Sequence, residues 1–208
     1  MELSDAISQM KALINTSLHY SSDSYDIERL VELKRILGDL TKTYSDATSD
    51  QKIALYFDSD TGYVTPKVDI RSVVFNDQDK LLLVKEKKEG TWSLPGGWAD
   101  VGYSPSEIAR KETLEESGLD VTPISLFKVI DKAKHPYPKS LEYVYKLFFY
   151  CKANSYITKT GLETSEIAFF SITEIITLEN ISIHRNTKED LMDAFSFHQN
   201  PTRDTKFD

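Results

Sequence analysis

The chain has 208 residues, 40% hydrophobic and 28% charged, which suits one full-sized core with a small appendage and excludes a disordered or collagen-like polymer. A formal net charge of −8 disfavours a generic nucleic-acid binder, because neutralising a phosphate backbone requires clustered Lys and Arg, and a small anionic substrate would need help from metal ions. The single cysteine, Cys151, excludes an intrachain disulfide and stands in an apolar run as a core residue.

Taken in chain order, Leu3, Ile7, Met10, Ile14 and Leu18 recur at steps of three and four, the pattern of an amphipathic helix. After the polar break at 21–24, Ile27, Leu30, Val31, Leu33, Leu37 and Leu40 give a second helical face, with Ser24 as its expected N-cap. Two helices cannot bury both apolar faces alone, so they should dock on the rest of the chain or on a second copy. The stretch 41–52, rich in Thr, Ser and Asp without apolar periodicity, reads as a linker. The expected organisation is a helical N-terminal domain with its linker at 1–50 and a main domain at 51–208.

Beyond the linker the period changes. Val68, Ile70, Val73, Val74 and Phe75, then residues 81–84, read as two strands joined through Asn76-Asp77-Gln78-Asp79, which predicts a hairpin. Ser104, Pro105 and Glu107 form a capping box with proline at the first helical position, and Gly118 suits the stop. Further strands are expected at 124–130, 141–151 and 167–172, and a last helix at 188–198. Strands flanking a central helix predict an α/β fold of α/β/α layers. Neither a basic-then-apolar leader nor a run of about eighteen apolar residues is read, so the expectation is a cytoplasmic protein without a membrane contact.

Within the capped helix, Glu112, Glu115 and Glu116 fall on one side of successive turns. Repulsion at that spacing costs only about 0.2 to 0.5 kcal/mol per exposed pair, so the cluster alone equally describes a solvated acidic face. The preceding Leu94-Pro95-Gly96-Gly97-Trp98 changes that reading, because two glycines let backbone approach a ligand closely. Arg71 and Arg185 are candidate phosphate contacts, since a planar guanidinium holds phosphate oxygens with paired hydrogen bonds. Trp98 and Tyr103, like Trp92, Tyr137 and Tyr143, are candidates to stack a base, although aromatics more often serve a core or interface. His19, His135, His184 and His198 form no compact ligand pattern with Cys151, which argues against zinc and leaves each as a surface or partly packed residue.

Glycine turn, capped helix, acidic face and terminating glycine together resemble the box of the Nudix hydrolases, G-x5-E-x7-R-E-U-x-E-E-x-G-U, where U is a bulky aliphatic residue. The match runs from Gly97 to Leu119 and keeps Gly97, Glu112, Glu115, Glu116, Gly118 and Leu119. Tyr103 replaces the first glutamate, Lys111 the arginine and Thr113 the aliphatic residue. Lys111 keeps a cation without bidentate geometry, Thr113 should cost packing, and no role of the first glutamate carries over to Tyr103. The helical appendage and the stretch 96–103 are similar to a bacterial branch of the family that includes ADP-ribose and CDP-choline pyrophosphatases.

The resemblance implies a Nudix-like α/β/α sandwich with a mixed sheet, preceded by a small helical N-terminal domain. It implies Mg²⁺ or Mn²⁺ held by Glu112 and Glu116, then Glu115, aided by the Gly96 carbonyl. Glu115 also counts among the implied catalytic carboxylates. A catalytic glutamate on a loop before a late strand would be Glu163 or Glu166, with Glu163 placed ahead. The implied reaction is hydrolysis of the diphosphate bond in an ADP-ribose-like or CDP-choline-like nucleoside diphosphate derivative, releasing a nucleoside monophosphate, by a homodimer. Two alternatives stand beside it: a catalytically weak ligand-sensing or interaction module, suggested by Tyr103 and Lys111, and a hydrolase of RNA ends, which the acidity of the chain disfavours.

Overall fold

The computed structural model describes residues 2–44, 56–60, 62–202 and 204–208. The chain divides into two compact units, Met1–Pro66 with Lys139–Tyr143, and Lys67–Pro138 with Val144–Asp208.

The first unit carries helices α1 (Leu3–Tyr20) and α2 (Ser24–Tyr44). Helix α1 buries Ile7 and Ile14 together with Ser8, Lys11 and Asn15, while Leu3 and Met10 of the predicted stripe stay exposed. The buried polar groups are satisfied locally: Ser8 Oγ donates to Leu141 O at 2.6 Å, Asn15 Nδ2 to Phe57 O at 3.1 Å, and Lys11 Nζ pairs with Asp60 at 3.3 Å. The start of α2 differs from expectation. Asp23 is the cap, its Oδ1 accepting from the backbone of Tyr25 at 2.9 Å and Asp26 at 3.0 Å, and Ser24 is already helical. Residues 41–44, expected to begin the linker, continue α2. Thr41 there turns its hydroxyl back to Leu37 O at 2.8 Å, so a polar composition does not end the helix. The remainder of that linker, 45–52, lies outside the described residues. No helix among the described residues is long and apolar enough to cross a membrane.

The second unit contains β1 (Lys67–Val74), β2 (Leu81–Glu86), β3 (Trp92–Ser93), β4 (Gly96–Trp98), α3 (Pro105–Ser117), β5 (Val121–Asp131), β6 (Val144–Ala153), β7 (Thr164–Phe170), α4 (Ile172–Thr177), α5 (Lys188–Gln199) and β8 (Lys206–Phe207). They form a five-stranded mixed sheet, β4-β1-β6-β5-β8, and a three-stranded antiparallel sheet, β3-β2-β7. The predicted β1–β2 hairpin is corrected by this topology. Only Phe75 and Leu81 pair across the turn, and the strands then enter different sheets because β1 spends its two edges on β4 and β6.

Alternation along the strands builds the layers. Ile70 and Val74 of β1 pack with Leu82 against Ile108 and Ala109 of α3, while Val73, Phe75, Leu81 and Leu83 pack with Ile175 of α4 and Leu191, Ala194 and Phe195 of α5. Helices thus cover both faces, the α/β/α arrangement expected. Cys151 is buried in the α3 layer, and burial pushes its thiol up to about 12, which makes it a core residue. Two predicted strands are trimmed. Ile172 starts α4, capped by Ser171 and Glu174, so β7 ends at Phe170; β6 starts at Val144, and residues 141–143 belong to the first unit.

Candidate active site

The glycine turn and α3 meet as the sequence pattern requires. Ser104 Oγ accepts from Glu107 N at 3.3 Å while Glu107 accepts from Ser104 N at 2.8 Å, and Gly118 closes α3 at φ 71°. Gly96 sits at φ 147°, and a Cβ there would stand 2.0 Å from Ile70 O, so only glycine lets β4 lie this close to β1. At Gly97 a Cβ would come within 2.9 Å of Glu112 Oε2, so the bare backbone leaves room for that carboxylate. Glu116 reaches back to the same turn and accepts Gly96 N–H at 2.9 Å.

These groups border a cleft of about 550 Å³ in the second unit. Its lining mixes acids, among them Asp69, Glu86, Glu112, Glu116 and Glu163, with the bases Arg71, Lys132, Lys146 and Arg185, and burial lowers the Lys146 pKa to about 7. Glu116 is 8% exposed and its carboxyl is pushed up to about 7. Burial is the main cause, Arg71 and the Gly96 N–H oppose it, and the neighbouring Glu112 and Glu86 reinforce it. Arg71 is buried and grips Asp69 in a fork, Nη2 to Oδ1 at 2.7 Å and Nε to Oδ1 at 3.1 Å, and gives Nη1 to Leu94 O at 3.2 Å. Asp69 also contacts Lys146, which faces it in the β1–β6 register. Arg185 lines the cleft as well, held by Glu86 at 2.7 Å and Glu89 at 3.1 Å.

The cleft therefore brings together Arg71, Gly96, Trp98, Glu112, Glu116, Glu163 and Arg185 of the residues expected from sequence. Three expected site residues fall outside its lining. Tyr103, 52% exposed, lies in the turn before α3. Glu115 faces solvent, pairs with Lys111 at 3.2 Å and borders an adjoining depression that shares Glu112, Glu116 and Glu163 with the cleft. Glu166 projects from β7 to Lys85 at 2.7 Å. Trp92 and Tyr137 belong to the core, the Tyr137 hydroxyl donating to Asp190.

Sequence reasoning missed Glu86, Glu89, Asp69, Lys132, Lys146 and His184, all cleft residues. A signal existed for Lys146, a buried-side charge among the apolar residues of β6. The box departures are accommodated. Lys111 pairs with Glu112 at 3.1 Å and with Asp100 at 3.4 Å, a carboxylate three residues before Tyr103. Thr113 is fully buried, and its hydroxyl donates to Ala109 O at 2.7 Å, so the polar atom costs no orphaned donor.

Comparison with known proteins fits this geometry. The NUDIX domain model matches residues 65–194, more than half of the chain. The chain belongs to the Nudix family. A second model, described as a UDP-X-like N-terminal oligomerisation domain, matches residues 1–57. A protein of Bacillus subtilis (strain 168) named putative ADP-ribose pyrophosphatase YjhB is 37% identical over 200 residues, 96% of this chain and 94% of its own. Among solved structures, an ADP-ribose pyrophosphatase from Streptococcus suis 89-1591 is 36% identical with a TM-score of 0.61, covering 69% of this chain and 100% of its own. A UDP-X diphosphatase structure is 29% identical with a TM-score of 0.62 and covers 100% of both chains. The Nudix domain and these relatives make the chain a pyrophosphohydrolase, and Nudix hydrolases generally use divalent ions.

The donors present fit such an ion in kind. Glu112 and Glu116 offer hard oxygen ligands, and a carboxyl pushed up by burial and by like charge is a group whose ionised form a cation would stabilise. Among the described residues, no three His, Cys, Asp or Glu side chains converge as a closed ligand set.

Proposed function

We propose that this Nudix pyrophosphohydrolase cleaves the diphosphate link of a nucleoside diphosphate joined to a sugar or alcohol, ADP-ribose-like or CDP-choline-like, and releases a nucleoside monophosphate. The observation that carries the reading is the lining of the cleft, in which the carboxylates Glu112, Glu116 and Glu163 stand together with the bases Arg71, Lys132 and Lys146. Mg²⁺ or Mn²⁺ at Glu112 and Glu116 would offset phosphate charge and lower the pKa of an attacking water. Arg71, already fixed by Asp69 and Leu94 O, adds a preset positive charge beneath the anionic substrate. The half-exposed Trp98 at the cleft margin offers a ring face to a base. The names of the Bacillus and Streptococcus relatives support ADP-ribose, and the whole-chain likeness to a UDP-X diphosphatase adds uridine derivatives to the panel. Product analysis of ADP-ribose, CDP-choline and a UDP-sugar with Mg²⁺ or Mn²⁺ tests the reading.

Glu163 is the base in this proposal, because it lines the cleft whereas Glu166 is tied to Lys85. Glu163→Gln is expected to lower kcat by roughly 100-fold with little change in KM, since a base acts during water attack rather than in binding. Steady-state kinetics of both variants check it; that signature in Glu166→Gln alone would move the assignment.

The assembly proposed is a homodimer built through α1 and α2. Helix α2 leaves Ile27, Val31, Leu33 and Ile36 exposed, apolar surface within the segment matched by the oligomerisation model. Light scattering is expected to give twice the chain mass for the intact protein, and a concentration-independent monomer would refute the dimer.

A further inference from the structure

Residues beyond the matched Nudix segment belong to the same unit. Strand β8 runs parallel to β5, pairing Lys206 with Lys128 and Phe207 with Val129. The side chains of Thr205, Lys206 and Asp208 fasten it. Thr205 Oγ1 donates to Leu126 O at 2.7 Å, and Lys206 reaches both carboxylate oxygens of Asp193 on α5 at 2.9 Å. Asp208 accepts Asp131 N–H at 2.5 Å on one oxygen and meets His135 Nε2 at 2.6 Å with the other.

Asp131 and His135 are the two ends of the 3-10 turn Lys132–Lys134, and Lys132 lines the cleft. Lys132 follows β5 directly, close enough to Arg71 for the guanidinium charge to act on it. Ile130, two residues before Lys132, faces Lys146, and Lys146 faces Asp69, two residues before Arg71, so neighbouring strands β5, β6 and β1 bring the three basic residues to the cleft lining. Burial first, then the charge of Arg71, lowers the Lys132 pKa. Asp131 caps the turn by accepting Ala133 N–H at 3.0 Å, and Asp208 adds a grip on both of its ends.

We propose that residues 204–208 are a strap in which Asp208 is a positioning residue: it fixes the 132–134 turn so that Lys132 presents its ammonium to the diphosphate of the substrate. This rests on the nucleoside diphosphate reading above. Covering the exposed edge of β5 is the simpler role for β8. The β8 backbone and Lys206 suffice for that, and the Asp208 contacts with the turn add nothing to it.

The test compares Asp208→Ala, Lys132→Ala and the double variant in the full chain. Amide exchange at Asp131 is expected to quicken by about tenfold or more in Asp208→Ala. KM for ADP-ribose with Mg²⁺ should rise about fivefold to tenfold in each single variant, with a smaller fall in kcat, and the double variant should be no worse than Lys132→Ala. Asp208→Glu should restore part of the loss. Calorimetric affinity for inorganic pyrophosphate with Mg²⁺ should follow the same pattern without turnover. Multiplicative effects in the double variant, or unchanged KM and pyrophosphate affinity in Asp208→Ala, would overturn the strap. Failure of the wild type to hydrolyse ADP-ribose would count against the substrate reading, while pyrophosphate affinity and amide exchange still decide the positioning role.

Discussion

Glu112→Gln and Glu116→Gln are each expected to fold and to lose metal-dependent hydrolysis by at least about 100-fold, because removing an anionic ligand weakens the cation that organises the phosphates. The substitutions are nearly isosteric, so their effect reports charge. Glu112 approaches the bare backbone of Gly97 and its amide counterpart fits the same space. At Glu116 the amide oxygen can still accept the Gly96 N–H, now 2.9 Å from the carboxylate. Circular dichroism with steady-state rates over a Mg²⁺ series checks the expectation. Near-normal turnover in both folded variants would remove these glutamates from the metal site.

Glu116→Gln should also make the metal-free protein more stable at alkaline pH. In the fold this carboxyl is raised from its usual 4.5 to about 7, so the folded state binds a proton that the unfolded chain gives up. Stability from this group is therefore complete below about pH 4.5 and is lost as the pH rises through 7. At pH 8 the loss amounts to as much as about 3 kcal/mol, from roughly 1.4 kcal/mol per pKa unit. Glutamine carries no such cost. Thermal melts in chelator should show the variant higher by roughly 5–10 °C at pH 8 and by little at pH 5. Adding Mg²⁺ should raise the wild type more than the variant. A wild type that melts higher than the variant at pH 8 in chelator would contradict the burial argument.

The parts of the site that were legible in sequence are those whose geometry is local. The Ser104–Glu107 box, the Gly118 stop and the glycine pair each state a backbone conformation within a few residues, and the structure realises them. The same locality explains the failures. Asp23 and Ser24 are both good caps, and only the actual position of the first turn chooses between them. The β1–β2 hairpin rests on a turn signal, but β1 pairs along its length with β6, 77 residues on in sequence. Lys132 and Glu86 reach the cleft through strand register and sheet order, which no periodicity encodes. Tyr103 is a candidate to stack a base by its aromatic ring alone, and it stands in the turn before α3, outside the cleft lining.

The most direct measurement is identification of the products by phosphorus NMR and mass spectrometry after incubation with ADP-ribose, CDP-choline and a UDP-sugar, with Mg²⁺, with Mn²⁺ and in chelator. Cleavage between the two phosphorus atoms predicts a nucleoside monophosphate and a phosphorylated second moiety from at least one of the three, with either ion and not in chelator. Intact substrates under every condition, undiminished cleavage in chelator, or release of orthophosphate without a nucleoside monophosphate would contradict the account.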